Sequence, residues 1–327
     1  MKLLKPIALA GALLSFSMGT MAKDVGIALD TAADLEMSGS YVWAHNFVKE
    51  LEARGMGAKE IPRGAIGGES EKLDQLGMGL LEVSLSDVKS VARIDPFILG
   101  VRLPYLFDSV AHLDRALTEG DVLSKVNDSI ESANVRLLAL VSLGPPSGII
   151  TTDQAVTKPE DLADLRMRAI DDVQVSMYEA WGSNGTIVSW GEVPAALQTG
   201  VVDGYINTAL VPLMFGQTDI IGYFSDAKVM NGLRAVLVSD DWYQRLSADE
   251  RKIVDEAVQS ANQANREWLE QAGSKALQSL QESGVEVTAL SEDGRERFRE
   301  LSQSIYDQTE LGSDDLDFWI GLSEQTR

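Results

Sequence analysis

An α/β fold in two lobes is what the 327-residue chain predicts, on three observations. Short apolar strand patterns alternate with amphipathic helix patterns, the order that layers helices over mixed sheets. The break Gly144-Pro145-Pro146 separates two sets of β-α units. One late helix is long enough to pack against both sets.

The elements follow in chain order. Val25 to Leu29 reads as a strand, and Tyr41 to Arg54 as a helix with Trp43, Phe47 and Leu51 at helical spacing. Ala58 to Ile61 is a strand. The Gly67-Gly68 turn then opens a helix over Glu69 to Gly77, and Val83 to Ser86 is a short strand. His112 to Leu117 lies in a helix. Val135 to Ser142 is a long apolar strand, and Gly148 to Thr152 resumes after the proline break. Leu165 to Ala169 is a strand and Val173 to Trp181 a helix. In Trp190 to Gly204, Pro194 suits a first helical turn and Gly200 a C′ position. Val201-Val202 starts an extended run that Asp203-Gly204 is expected to turn. Arg234 to Ser239 is a strand. Ser247-Ala-Asp-Glu250 is a capping box. The helix behind it places Ile253, Val254, Ala257, Val258, Ala261, Ala264, Trp268 and Leu269 three or four residues apart. It is expected to reach Glu282, roughly 50 Å at 1.5 Å per residue. Val285 to Leu290 is a last strand.

Composition bounds the function. Hydrophobic residues make up 45% and charged residues 24%, as in ordinary globular proteins. Lys2 and Lys5, an apolar run over 7–18 and a small-residue end at Thr20-Met21-Ala22 describe a secretory signal over residues 1–22. No later run is long enough to span a membrane. With no cysteine there is no disulfide, thiol chemistry or lipid anchor near the cleavage site. The formal charge of −22 becomes −24 once Lys2 and Lys5 are removed. Such a surface repels nucleic acid and anionic lipid, and salt makes it easier to tolerate. No P-loop, Rossmann fingerprint or Gly-x-Ser-x-Gly elbow occurs. His45 and His112 lack metal-ligand partners at helical spacing. No catalytic residue, cofactor or metal is therefore expected.

Four segments in order carry a family resemblance. They are Pro62-x-Gly64-x-Ile66-Gly67-Gly68-Glu69 with Leu73, Gly79 and Glu82; Leu103 to Phe107 (LPYLF); Asp161 to Ile170 (DLADLRMRAI); and Trp190 to Gly204 (WGEVPAALQTGVVDG). Over about residues 25 to 300 the chain resembles the periplasmic solute-binding subunits of tripartite ATP-independent periplasmic (TRAP) transporters. The resemblance implies a two-lobed, periplasmic-binding-protein-like fold with a ligand cleft that closes by hinge bending. The expected division is 23–145 plus about 234–270 in lobe I, and 146–233 plus about 271–327 in lobe II. It also implies a periplasmic receptor, with a small-molecule ligand and a TRAP membrane permease as partners. A monomer is the default. Two alternatives remain, a receptor feeding a membrane sensor kinase and a secreted lyase or hydrolase on a similar scaffold.

Site residues come over position by position. Arg168 matches the family arginine that binds a substrate carboxylate, and its two parallel donors suit that task. On the same strand face Arg166 reads as surface charge. Asn207 matches the family asparagine near the end of the Asp203-Gly204 segment. Where relatives read Gln-Glu-Asn-Pro, this chain has Tyr205-Ile206-Asn207-Thr208, and near Gly148 it lacks a second basic residue. That loss points to a monocarboxylate, a zwitterion or a small amino alcohol rather than a strongly anionic solute. Asp30 and Asp172 are candidates to pair with an ammonium group. Trp190, Phe215 and Tyr205 are candidates for the aromatic wall, whereas Trp43 and Trp181 read as helix core.

Overall fold

The computed structural model describes residues 24–327, so the expected signal at 1–22 lies outside the described residues. Val25–Ala28 (β1) is buried throughout, as a strand covered on both faces must be. Gly39–Ala53 (α1) follows, its N-cap Ser38 accepting from Tyr41 N–H. Next come Ala58–Ile61 (β2), Glu69–Gly77 (α2), Val83–Asp87 (β3) and Val88–Ala92 (α3). A 3₁₀ stretch, Pro96–Arg102, leads into Val110–Glu119 (α4), Val122–Ile130 (α5) and Val135–Ser142 (β4).

The chain then enters a second unit. It holds Gly148–Thr151 (β5), Arg166–Ala169 (β6), Asp172–Ala180 (α6), Asn184–Ile187 (β7), Val193–Gln198 (α7), Gly204–Asn207 (β8), Leu210–Met214 (α8) and Tyr223–Asp226 (β9). Leu233–Ser239 (β10) returns to the first unit, followed by Asp240–Arg245 (α9) and Ala248–Glu282 (α10). Glu286–Ala289 (β11), Glu292–Gln303 (α11) and Ser313–Gln325 (α12) complete the fold.

Two mixed sheets result. The first runs β2-β1-β3-β10-β4, with β10 antiparallel to both neighbours; the second runs β11-β9-β5-β8-β6-β7. This is the two-lobed α/β arrangement that the alternating pattern predicts. Helix α10 crosses both lobes over 35 residues, starting from the capping box at Ser247. Its first half buries Val254, Ala257, Val258 and Ala261 with the first-lobe core, and its second half buries Ala272, Ala276 and Leu280 with the second.

Between those halves sits Asn265, fully buried. Its Nδ2 donates to the carbonyls of Gly39 (2.8 Å) and Ser142 (2.9 Å), and its Oδ1 accepts from Ser142 N–H (2.9 Å). One amide thus joins α10 to the start of α1 and the end of β4. Arg266 beside it binds both Asp114 oxygens, at 2.8 and 2.7 Å.

Two expectations need correction. Asp203-Gly204 is not a turn, because Gly204 begins β8. A Cβ there would lie 2.3 Å from the Ile150 carbonyl, so the glycine serves close strand approach. Asp203 is held instead by the Arg166 fork (2.9 and 2.7 Å), which keeps Arg166 at the surface. The end of the chain also departs from the division that placed about 271–327 in the second lobe. Helix α12 packs on the first lobe, where Trp319 Nε1 donates to Phe97 O (2.8 Å) and Ser323 Oγ to Leu106 O (2.7 Å). The Trp319 ring fills the space beside Gly100, where a Cβ would meet it at 2.2 Å. Burying that indole decides where the terminal helix docks.

Replacing Asn265 by Ala would leave one buried N–H and two buried carbonyls short of a partner. At about 1–3 kcal/mol for a buried group left unpaired, the loss should reach about 3 kcal/mol or more. Urea unfolding would measure it, and a loss below about 1 kcal/mol would show that the joint does not carry this load.

Candidate functional site

The ends of strands from both sheets face one gap, the usual place for ligands in open α/β sheets. The cavity there measures about 470 Å³, within the range of small-molecule sites. The first lobe contributes Asp30, Arg63, Glu69, Lys72, Asp87, Arg102 and Arg234; the second contributes Ser147, Arg168, Gln174, Trp190, Asn207 and Phe215.

Arg168 projects from β6 and is only 7% exposed. Its Nε donates to Val188 O at 2.9 Å, which leaves the fork of Nη atoms to the cleft. Its guanidinium lies over the Trp190 ring, 5.6 Å from the centroid. Among the described residues no carboxylate lies within ion-pair distance of it. Burial pushes its pKa below the ordinary arginine value, although Tyr178 and Asp87 oppose the shift. It stays a cation at any physiological pH.

Asn207 ends β8, two strands from the edge and adjacent to β6. Its Oδ1 accepts from the Thr208 N–H at 2.9 Å, so its amide is left to donate. Arg168 and Asn207 therefore both offer donors from this wall. Trp190 meets Phe215 edge-to-face at 5.1 Å and Tyr205 at 5.8 Å.

Apart from Arg63, the first-lobe wall is ionic and paired. Arg234 reaches Asp30 at 2.7 Å and Asp87 at 3.1 Å. Asp30 also accepts from Ser40 Oγ at 2.8 Å. Lys72 is buried, pairs with Glu69 at 2.9 Å and donates to Leu85 O at 2.7 Å. Arg102 sits 3.9 Å from Asp87 and 3.6 Å from Asp171 across the gap. Lys89 also crosses, donating to Ile170 O at 3.0 Å. The lobes are thus in contact at the cleft mouth. Burial alone raises the Asp87 pKa, but Arg234 and Arg102 outweigh it and hold the carboxyl below its usual range.

Of the residues singled out from sequence, Arg168, Asn207, Trp190, Phe215 and Asp30 line this cavity. Asp172 and Tyr205 do not. Asp171 is the N-cap of α6, accepting from Gln174 N–H, and Asp172 in the first turn faces solvent. Tyr205 is fully buried, with its hydroxyl donating to Gln217 Oε1, and it supports Trp190 from behind. The sequence reading missed Arg63, Lys72, Asp87, Arg102 and Arg234. A signal existed for two of them. Arg234 interrupts an apolar strand, and Lys72 lies one helical turn from Glu69 on the face that also carries Leu76.

Residues 33–311 match the family model described as bacterial extracellular solute-binding protein, family 7. A solute-binding protein of Chromohalobacter salexigens is 25% identical over 267 residues, covering 80% of this chain and 78% of its own. The ectoine/5-hydroxyectoine-binding periplasmic protein UehA of Ruegeria pomeroyi is 26% identical, covering 81% and 79%. In fold, the chain superposes with a TM-score of 0.83 on a TRAP periplasmic solute-binding protein of Chromohalobacter salexigens with bound D-glucuronate. That match is 21% identical and covers 93% and 100% of the two chains.

The lowered Asp87 pKa sets a pH dependence. A carboxyl whose folded pKa is depressed contributes stability above its unfolded pKa, near 4, and loses it as pH falls through the folded value. Asn retains the N-cap that Asp87 provides to α3. Asp87→Asn should therefore be less stable than the parent at pH 7 by about 1 kcal/mol, a modest figure because its side chain is 35% exposed. The gap should close below about pH 4. Denaturant unfolding of both proteins across pH 3 to 8 checks the sign; a gap that widens in acid would reverse the assignment.

Proposed function

The chain belongs to family 7 of the bacterial extracellular solute-binding proteins, the solute-binding subunits of TRAP transporters, and we propose that its own ligand is a small organic acid held by its carboxylate. It is a receptor for a small organic solute rather than an enzyme. In this reading it works in the periplasm and hands the solute to a TRAP membrane permease. The observation that carries the reading is Arg168, a buried guanidinium with no carboxylate in ion-pair distance among the described residues, opening on a cavity of about 470 Å³.

The neighbouring groups favour an acid over an amine. Asn207 offers an amide donor from the adjacent strand, which matches a carboxylate oxygen. The three acids of the cavity wall, Asp30, Glu69 and Asp87, are each already paired with a basic side chain. An ammonium group entering the cleft would have to break one of those pairs. The aromatic faces offer no better site, because Arg168 lies over Trp190 and another guanidinium lies over Phe215. The amino alcohol considered from sequence is therefore the weakest of the three solute types. Closure follows the same logic. A solute touching both walls favours the closed form by its extra contacts there.

Titration calorimetry with a panel of small acids tests this. Arg168→Ala should weaken binding of any acid by roughly 2–5 kcal/mol, and Arg168→Lys should also weaken it because the fork is lost. Arg166→Ala should leave binding unchanged, since Arg166 is spent on Asp203. Asn207→Asp should lose more than Asn207→Ala, because it sets a negative charge beside the carboxylate. Acid binding that survives Arg168→Ala would remove the reading.

A further inference from the structure

Five basic side chains line the cleft, and four of them are accounted for. Lys72, Arg102 and Arg234 face protein carboxylates, and Arg168 is the carboxylate-binding group argued above. The fifth is Arg63. It stands in the loop between β2 and α2 on the first lobe, exposed, and among the described residues it forms no ion pair or hydrogen bond. Its one specific contact crosses the cleft. The guanidinium lies over the ring of Phe215, 5.3 Å from the centroid, on the second lobe. Phe215 packs edge-to-face on Trp190, whose ring carries Arg168. The two cleft cations without a carboxylate therefore flank one aromatic pair, one from each lobe.

We propose that Arg63 is a specificity-determining residue that reads the end of the solute remote from Arg168. It selects acids whose far end carries a second carboxylate or a hydroxyl-rich group over zwitterions and simple alkyl acids. This rests on the Arg168 reading. The chemistry is one-sided, because a guanidinium offers five donors and no acceptor. It can reward oxygen at the far end, and it repels an ammonium placed there. The basic residue that the sequence lacks near Gly148 is thus replaced by one from the opposite lobe. The position also couples charge to closure. Arg63 reaches the second-lobe wall only when the lobes meet, so a solute that engages it adds a contact that exists in the closed form alone.

Calorimetric titrations with D-glucuronate, succinate, butyrate and ectoine test this on the full mature chain. Arg63 is exposed, so its substitution should leave the fold intact. Arg63→Gln should weaken glucuronate or succinate tenfold or more, leave butyrate within about twofold, and leave ectoine unchanged or improved. Arg63→Lys should recover part of the loss, and salt should shrink the difference. Equal changes for all four probes would mark a merely structural role and overturn the proposal. So would no change for the two-ended acids, or tighter binding of ectoine than of either acid by the unaltered protein. Arg168→Ala separates the two readings. If it abolishes binding of every acid while Arg63→Gln spares them, only the Arg63 proposal falls. If the unaltered protein binds none of the acids, both fall.

Discussion

A buried guanidinium with no counter-ion costs several kcal/mol in a folded protein, and among the described residues Arg168 of the second lobe has none. The rest of the cleft is arranged around that charge. Val188 O takes its Nε and Trp190 lies against its plane. The acids nearest to it are kept from collapsing onto it. Asp87 is drawn toward Arg234 and Arg102, and Asp171 caps α6 while facing Arg102. A free acid in reach would satisfy Arg168 internally and leave nothing for a solute to gain. Pairing the first-lobe acids with first-lobe bases keeps the second-lobe cation available. Anything that supplies the missing charge binds the native state alone and must raise its stability.

The same charge logic needs two walls at a controlled distance, and α10 provides it. One continuous helix buries small residues, mostly alanine, against both lobes, so neither can drift far from the other. Asn265 fixes the crossing point by bonding the start of α1 and the end of β4 together. Strands β4 and β10 flank the passages between lobes, so a bend at 143–147 or 227–232 moves one sheet against the other while α10 holds the register. The contacts at the mouth, Lys89 to Ile170 O and Arg102 to Asp171, are few and partly exposed. They can break without disturbing either core, which is the requirement for opening by hinge bending.

Much of the fold was legible because its central strands are mostly apolar runs. Val135 to Ser142 falls where the sequence places it, and so does Ala58 to Ile61, although Lys59 and Glu60 interrupt it. Strand β7, Asn184–Ile187, was not legible, because it is a mostly exposed edge strand without alternation. Strand β8 was misread at its start because Asp-Gly is a strong local turn signal. Tertiary pairing of Asp203 with Arg166 overrode it. The return of α12 to the first lobe depends on Trp319 finding Gly100, a pairing that no local pattern encodes. The site divides the same way. Arg168 and Asn207 were visible through matched segments. The Asp30–Arg234 pair, 204 residues apart in sequence, was not. A sequence shows which charges exist, but only the fold shows which are already spent, and that difference moved Asp30 from a candidate ammonium partner to a partner of Arg234.

The balance of charge sharpens the point. The chain carries 50 acidic residues against 28 basic ones, so its outer surface repels an anion of the kind proposed for its cleft. The two demands are compatible because they act over different distances. At about 0.15 M salt the Debye length is roughly 8 Å, and exposed carboxylates further off than that contribute little. Arg168 sits behind low-dielectric walls of Trp190, Tyr178 and Tyr205, where mobile ions cannot screen it as well. Salt therefore removes more of the repulsion outside than of the attraction inside. An acidic shell of this kind therefore need not block a small anionic solute, and it blocks one less as ionic strength rises. The net charge and the cleft charge are thus separate features of the sequence, and the first could be reduced by surface substitution without weakening the second.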